Sequence, residues 1–262
     1  MKRTLITPDL ACYPARLLPL LEGATLYDSS SSPEARVLYV ARDGGCFLKS
    51  APAGSLQKEA ALTRYFHTKG LAAEVLAYFT EEGHDWLLTS RVAGEDCTHA
   101  SLLADPVWLC DRLAVLLREL HELPYDGCPV QDRNADYVAT AARNYQNGAY
   151  DTSLFPDNWG YRSAAEAWSV VEASRNALGN PVLLHGDYCL PNVMFEGRRF
   201  SGLIDLGNGG VGDRHIDLFW GAWSLFFNLK TDAYRERFLD AYGRDVIDAD
   251  MFRVIAAFEV FG

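Results

Sequence analysis

Two aspartates and an asparagine stand at short intervals between residues 187 and 205. Asp187 is followed five positions later by Asn192, and Asp205 comes thirteen positions after Asn192. Phosphoryl transfer from a nucleotide needs one carboxylate to orient the acceptor hydroxyl and take its proton. It also needs a carboxylate and an amide oxygen to hold magnesium against the phosphates. The residue types and their spacing therefore predict a kinase-type site, with Asp187 as the base.

The elements between these residues give the spacing a geometric reason. Residues 193–195 and 200–203 are short apolar runs, separated by a turn signal at Glu196-Gly197. A hairpin formed by these runs would return Asn192 and Asp205 to the same end. Each residue taken alone could instead belong to an ordinary turn or cap, because Asp, Asn and Gly are common there.

The rest of the chain predicts an α+β fold, with a β-rich part followed by an α-rich part. Residues 37–40 and 46–49 predict a hairpin around Asp43-Gly44-Gly45, and a helix follows Ser55. Strands are expected at 75–79 and 86–92. Beyond Pro106 apolar residues recur at helical spacing, which predicts helices over 107–120, 164–178, 216–227 and 234–261.

Composition limits the partners of the protein. The 24 basic and 35 acidic residues among 262 give a formal net charge of −11, which disfavours nucleic acid and anionic membranes and suits a cationic substrate. The N-terminal stretch lacks the apolar core of a signal peptide, and no run is long enough to span a membrane. The six cysteines form no Cys-x-x-Cys pair. We therefore expect reduced thiols and a cytoplasmic location.

The central segment resembles the signature of the aminoglycoside O-phosphotransferase family. His185-Gly186-Asp187 and Asn192 fit H-G-D-x-x-x-x-N, and Gly202 to Gly207 fits G-x-I-D-x-G, followed by Gly210, Asp213 and Asp217-Leu218. The chain length is typical of the 3′-phosphotransferase branch. The resemblance implies a protein-kinase-like two-lobed fold, with a nucleotide-binding lobe over 1–93 and a catalytic and substrate-binding lobe over 94–262. It also implies that Asn192 and Asp205 hold Mg²⁺, that Asp217 supports the catalytic loop and that His185 is structural.

The same resemblance implies a nucleotide site in the first lobe. Lys49 would meet the phosphates and Glu59, on the next helix, would hold that lysine. Phe47 would lie against the base, and Ser90 and Val92 would offer backbone hydrogen bonds to it. Ser32, in the serine run at 29–32, would belong to the loop that covers the phosphates. The expected nucleotide is ATP, with GTP as an alternative.

The acceptor implied by the resemblance is an aminoglycoside antibiotic, phosphorylated at its 3′-hydroxyl to confer resistance. Asp157 and Glu259 are the expected contacts to its ammonium groups. Two features depart from the family: Asn208 replaces a frequent Arg, and residues 219–227 are unusually aromatic. A streptomycin-type 3″ site, another small hydroxylated metabolite or antibiotic, and an inactive nucleotide-binding regulator therefore remain alternatives. The oligomeric state stays open.

Overall fold

The computed structural model describes residues 3–152 and 159–262, and its elements change character near residue 100. The strands are β1 (Thr4–Ile6), β2 (Thr25–Asp28), β3 (Arg36–Ala41), β4 (Cys46–Pro52), β5 (Val75–Glu81), β6 (His84–Ser90), β7 (Glu95–Asp96), β8 (Pro181–Leu184), β9 (Val193–Glu196), β10 (Arg199–Leu203) and β11 (Gly210–Asp213). The helices are α1 (Leu18–Leu21), α2 (Gln57–Thr68), α3 (Ala100–Leu103), α4 (Pro106–His121), α5 (Arg133–Gln146), α6 (Ala164–Ala173), α7 (His215–Leu229), α8 (Arg235–Tyr242) and α9 (Met251–Glu259). Strands thus dominate early and helices late, as the sequence predicts.

The chain forms two compact units, which we call the N-terminal and C-terminal units. The N-terminal unit comprises the chain up to His99 together with Pro191–Gly207. The C-terminal unit comprises Ala100–Leu190 and Asn208–Gly262. The functional division into lobes over 1–93 and 94–262 stays a prediction.

An antiparallel six-stranded sheet, in the order β1-β2-β3-β4-β6-β5, forms the body of the N-terminal unit. The predicted hairpin joins β3 to β4, and its turn requires glycine at position 45. Gly45 has φ of +89°, and a β-carbon there would lie 2.3 Å from the hydroxyl of Tyr39. Alternate residues of these strands, including Leu38, Val40 and Leu48, are buried in one hydrophobic cluster. Burying one face of each strand fixes its register.

Helix α2 begins where a buried carboxylate caps it. Asp85, on β6, accepts a hydrogen bond from the backbone N–H of Leu56 at 2.9 Å and another from the Thr80 hydroxyl at 2.6 Å. The buried side chains of α2 include Ala60, Leu62 and Phe66. This arrangement puts Glu59 in the first turn of the helix.

A second predicted hairpin lies in the same unit. Strands β9 and β10 pair antiparallel, with Val193 opposite Leu203, and β7 adds a third strand beside β9. The backbone N–H of Ile204 donates to the carbonyl of Asn192 at 3.0 Å. The hairpin therefore brings Asn192 and Asp205 to one end, as the spacing predicts.

Helices build most of the C-terminal unit, and a short antiparallel ribbon of β8 and β11 accompanies them. Helix α7 contributes ten buried residues to the core. The helix predicted over 164–178 ends at Ala173, and the one predicted over 234–261 is divided into α8 and α9. Gly243, with φ of +110°, ends α8 because helical geometry cannot continue through it. No helix of the described residues combines the length and hydropathy needed to cross a bilayer.

Candidate active site

A pocket of about 510 Å³ opens in the N-terminal unit, a volume within the usual range for small-molecule sites. Its lining includes most of the residues predicted to bind nucleotide and metal: Phe47, Lys49, Glu59, Ser90, Val92, Asn192 and Asp205. These residues come from β4, α2, the end of β6 and the two ends of the β9–β10 hairpin. The fold thus collects into one pocket residues that are up to 158 positions apart.

A lysine between two carboxylates forms the charged part of this pocket. The Nζ of Lys49 lies 2.8 Å from Oε2 of Glu59 and 2.9 Å from Oδ1 of Asp205. Burial lowers the pKa of Lys49, but the two carboxylates outweigh burial and raise it above its ordinary value. The pKa of Glu59 is also raised, chiefly by burial and despite the opposing charge of Lys49. Lys49 is therefore a fixed cation, and it keeps Glu59 more acidic than burial alone would allow.

Replacing Lys49 with Met leaves Glu59 without its cation. Since the lysine lowers the pKa of Glu59, its removal raises that pKa further, and an acid with a raised folded-state pKa destabilises the fold as pH rises through it. We expect the free energy of unfolding to fall by about 2–4 kcal/mol at pH 8, and by less at pH 5, because the lower pH favours the neutral form of Glu59. Urea titrations of the wild type and the variant at both pH values measure this difference in the free energy of unfolding.

The matched control is Lys69→Met, in the same unit, where the ammonium group lies 4.8 Å from the centroid of the Tyr65 ring. Its effect should stay below about 1 kcal/mol at either pH. An equal loss at pH 5 and pH 8 in Lys49→Met would contradict the ion-pair argument.

Two side chains that could bind a metal through oxygen line the pocket of Lys49, at the open end of the β9–β10 hairpin. Asp205 adopts a left-handed backbone conformation, with φ of +59°, and 47% of its side chain is exposed. Asn192 is buried and lines the same pocket. A carboxylate and an amide oxygen fit Mg²⁺, which is usually bound through one or two protein oxygens while phosphate and water supply the rest. Within residues 3–152 and 159–262, no group of three or more His, Cys, Asp or Glu side chains is placed to hold a metal by itself.

The serine run lies differently from the prediction. Ser29, Ser30 and Ser31 line the pocket, whereas the predicted Ser32 is exposed and is not among the lining residues. The hydroxyl of Ser30 accepts the N–H of Val37 at 2.9 Å, which ties the loop to β3. Ser32 lies beyond that tie and hydrogen-bonds Glu34, lowering the pKa of Glu34. A role for Ser32 in phosphate binding stays a prediction.

The segment after β8 holds Asp187 in a fixed turn of the C-terminal unit. Gly186 has φ of +85°, and a β-carbon there would lie 1.8 Å from the carbonyl oxygen of Asn208, so only glycine fits. The N–H of Asp187 donates to Nδ1 of His185 at 3.3 Å, and its carbonyl accepts from the N–H of Cys189 at 2.8 Å. The backbone on both sides of Asp187 is thereby fixed.

Asp217 supports the turn that carries Asp187 through hydrogen bonds to its backbone. Its carboxylate oxygens accept the backbone N–H groups of His185 at 2.8 Å and Gly186 at 2.7 Å, and all of the side chain is buried. The resemblance implies this supporting role.

A chain of side chains behind Asp217 could not be anticipated from the motif. His121 contacts Asp217 through Nε2 at 3.2 Å and the Tyr242 hydroxyl through Nδ1 at 2.7 Å, and Arg214 donates to that hydroxyl at 3.2 Å. Burial lowers the pKa of His121, so the neutral ring donates to Asp217 and accepts from Tyr242.

A second carboxylate of the C-terminal unit was predicted to contact substrate. Oε1 of Glu259 accepts hydrogen bonds from the Tyr137 hydroxyl at 2.6 Å and the Trp220 indole N–H at 2.9 Å. Burial raises the pKa of Glu259 to about 7; the two hydrogen bonds and the charge of Arg133 lower it, and that of Asp187 raises it further. Glu259 therefore lies within electrostatic range of Asp187. Asp157, the other predicted contact, lies outside the described residues.

The aromatic stretch of α7 is divided between core and surface. Phe219 is buried, Trp220 turns its N–H to Glu259, and Phe227 is 49% exposed and stacks on Trp223 at 5.0 Å between ring centroids. The helix is therefore only partly a core helix, and Trp220 reaches a predicted substrate contact.

Comparison with known proteins agrees with the fold and the motif. The model of the phosphotransferase enzyme family (APH) matches residues 31–255. A probable aminoglycoside 3′-phosphotransferase of Lactococcus lactis is 44% identical over 252 residues, covering 95% of each chain.

Solved structures show the same fold. A type VIII aminoglycoside-3′-phosphotransferase superposes with a TM-score of 0.79 at 24% identity, covering 96% of both chains. The Streptomyces rimosus enzyme APH(3″)-Id, in complex with ADP and streptomycin, gives 0.78 at 22% identity, covering 97% of this chain and 99% of that one. The chain belongs to the phosphotransferase enzyme family, in its aminoglycoside O-phosphotransferase group. The predicted fold class and family are confirmed.

Proposed function

We propose that the protein is an ATP-dependent aminoglycoside 3′-phosphotransferase, which inactivates its antibiotic by phosphorylating a sugar hydroxyl. The observation that carries the proposal is the Lys49 ammonium group between Glu59 and Asp205, in a pocket that Asn192 also lines. A kinase requires a lysine for the phosphates, an acid that holds the lysine and oxygen ligands for the metal. The 44% identical relative supports the 3′-aminoglycoside assignment.

In the proposed nucleotide site, Lys49 contacts the phosphates and Glu59 keeps the lysine in place. Phe47 packs against the base, and the backbone at Ser90 and Val92 recognises its edge; GTP is the alternative nucleotide. Asn192 and Asp205 hold Mg²⁺, which would offset the charge of the phosphates. Because Lys49 stays protonated, its ammonium group stabilises negative charge on the transferring phosphoryl group.

For the transfer itself, we assign Asp187 as the base. Its carboxylate accepts the proton of the acceptor hydroxyl, the hydroxyl oxygen forms a bond to the γ-phosphorus, and the bond from that phosphorus to the β–γ bridging oxygen breaks to release ADP. The fixed backbone of Asp187 supports this role, because a base that is held in place loses little entropy in the transition state.

Carboxylates are proposed to recognise the acceptor. Aminoglycosides carry several ammonium groups, and Glu259 and Asp157 are assigned as their contacts. The net charge of −11 favours approach of a polycation. The alternatives are a streptomycin 3″-kinase, a kinase for another hydroxylated metabolite or antibiotic, and an inactive nucleotide-binding regulator.

An ADP-release assay with Mg-ATP distinguishes these functions. The panel holds kanamycin, neomycin, streptomycin, a macrolide and several simple alcohols. We expect turnover with kanamycin and neomycin, and none with streptomycin. Turnover with streptomycin alone would move the reaction to a 3″-hydroxyl. No turnover with any aminoglycoside would reject the proposal, and nucleotide binding without any turnover would indicate the regulator.

A further inference from the structure

Two side chains of the C-terminal unit converge on a single oxygen of Glu259. Tyr137 approaches from α5 and Trp220 from α7, and both donate to Oε1, at 2.6 and 2.9 Å. Among the described residues no side chain donates to the other oxygen, Oε2. Oε1 is thus hydrogen-bonded within the protein, whereas Oε2 is available to a ligand.

The donors are themselves rigidly held. The ring of Tyr137 stacks on Phe258, with centroids 4.9 Å apart, and its exposed fraction is only 4%. Trp220 packs edge-on against Phe219 at 5.8 Å and Trp223 at 5.4 Å. Aromatic side chains have few rotatable bonds, so these contacts fix the direction of both donor groups.

We propose that Tyr137 and Trp220 are positioning residues for acceptor specificity: they orient Glu259 so that its other oxygen, Oε2, binds an ammonium group of the acceptor. Because both donate to the carboxylate, they also favour its ionised form. The inference rests on the proposed function, because it assumes a cationic acceptor. Neither residue belongs to the phosphotransferase motif, and neither is assigned to the transfer step. Their effect would be on recognition.

The electrostatic surroundings explain why Glu259 requires two donors. Burial and the negative charge of Asp187 both raise the pKa of Glu259, which reaches about 7 even with its hydrogen bonds and Arg133 opposing them. The titratable groups facing it are Tyr137 and Arg133 from α5, and Asp187 and Cys189 from the turn after β8. The pKa values of Tyr137 and Cys189 are raised well above their ordinary values by burial, so both stay neutral near pH 7. Gly262 adjoins Glu259 Oε2 in the last turn.

Removing one donor should therefore change the pH dependence of acceptor use. Tyr137→Phe keeps the stacked ring but deletes the hydroxyl, which should raise the pKa of Glu259 by about one unit. With a wild-type pKa near 7, the ratio of wild-type to variant kcat/KM for the acceptor should be about 10 at pH 6 and approach about 1 at pH 9. Comparing the two proteins at each pH cancels the titration of the acceptor itself. The KM for Mg-ATP should stay within about twofold.

Tyr161→Phe is the matched control. Tyr161 is a buried tyrosine of the same unit whose hydroxyl donates to the Arg253 carbonyl at 2.8 Å, so this variant also loses one hydrogen bond. Its kcat/KM ratio should not vary with pH. Trp220→Phe deletes the other donor and should give the same pH profile as Tyr137→Phe. It replaces Tyr137→Phe in the test if Tyr137→Phe does not fold.

A direct titration separates this inference from the proposed function. In protein with ¹³C-labelled glutamate carboxyl groups, Glu259→Gln assigns the resonance, and Tyr137→Phe should move its midpoint upward. This measurement needs no acceptor, so it tests the inference even if every aminoglycoside fails in the assay. An unchanged midpoint, or a kcat/KM ratio that is constant with pH, would overturn the assignment.

Discussion

Replacing Asp187 with Asn is expected to lower kcat about 10³-fold and to leave nucleotide affinity within about twofold of wild type. Asparagine has the same shape and still contacts the hydroxyl, but it cannot take the proton. The groups that hold the turn act on backbone atoms of His185, Gly186 and Asp187 and do not require the Asp187 side chain. Steady-state ADP release with the best acceptor of the panel and calorimetry with nucleotide measure the two quantities.

An exposed carboxylate of the same unit provides the control for this variant. Glu119→Gln, on α4, removes a charge that pairs with Arg112 at 3.7 Å, and it should leave kcat within about twofold. The comparison excludes a general effect of lowering the negative charge. A kcat of Asp187→Asn within about tenfold of wild type would remove Asp187 from the role of base, since general base catalysis contributes more than that.

The parts of the site that depend on local spacing were predictable. Asn192 and Asp205 lie at the two ends of one hairpin, so the spacing between them predicted that pair, whereas the family resemblance implied the pairing of Lys49 with Glu59 on the next helix. The hairpin register does contain a shift between Phe200 and Gly202, which no apolar pattern indicated. The shift did not disturb the prediction, because a bulge alters pairing along the strand and leaves the two ends together.

Helix α5 shows why other parts could not be predicted. Its buried residues are Arg133, Tyr137 and Ala141, at intervals of four, and only Tyr137 is a large apolar side chain. Amphipathic helices are recognised by an apolar stripe, and the stripe of α5 is weak because it consists mainly of alanine and tyrosine. Because the helix was not predicted, Tyr137 could not be connected to Glu259, which lies 122 positions further along the chain. Such contacts follow from tertiary packing, and no spacing rule encodes them.

The break between α8 and α9 is a different case from α5, because the sequence did contain a signal for it. Gly243 follows directly after Tyr242, and glycine just beyond a helical run is a common helix end. The apolar residues on both sides favoured one continuous helix. The break matters for the site, because it lets Tyr242 end one helix beside His121 while Glu259 ends the next.

Replacing Asp217 with Ala is expected to destabilise the protein by about 3–5 kcal/mol and to lower kcat at least tenfold. The carboxylate accepts the N–H groups of His185 and Gly186 where all three residues are fully buried or nearly so, and each buried N–H that loses its partner costs about 1–3 kcal/mol. His121 would lose its acceptor as well. The activity falls because the turn that carries Asp187 is no longer held. Chemical denaturation and ADP release on the same preparations measure both effects.

Three further variants decide whether the effect comes from these hydrogen bonds. Asp217→Asn keeps one acceptor oxygen and should cost about half as much as Asp217→Ala, whereas Asp240→Asn, which removes an exposed partner of Arg244, should cost below about 1 kcal/mol. Tyr242→Phe leaves both backbone hydrogen bonds intact, so it should weaken the fold without the large loss of kcat. If Asp217→Ala proved as stable as Asp240→Asn, the support of the turn would have to come from the backbone fit at Gly186, where a β-carbon would meet the Asn208 carbonyl.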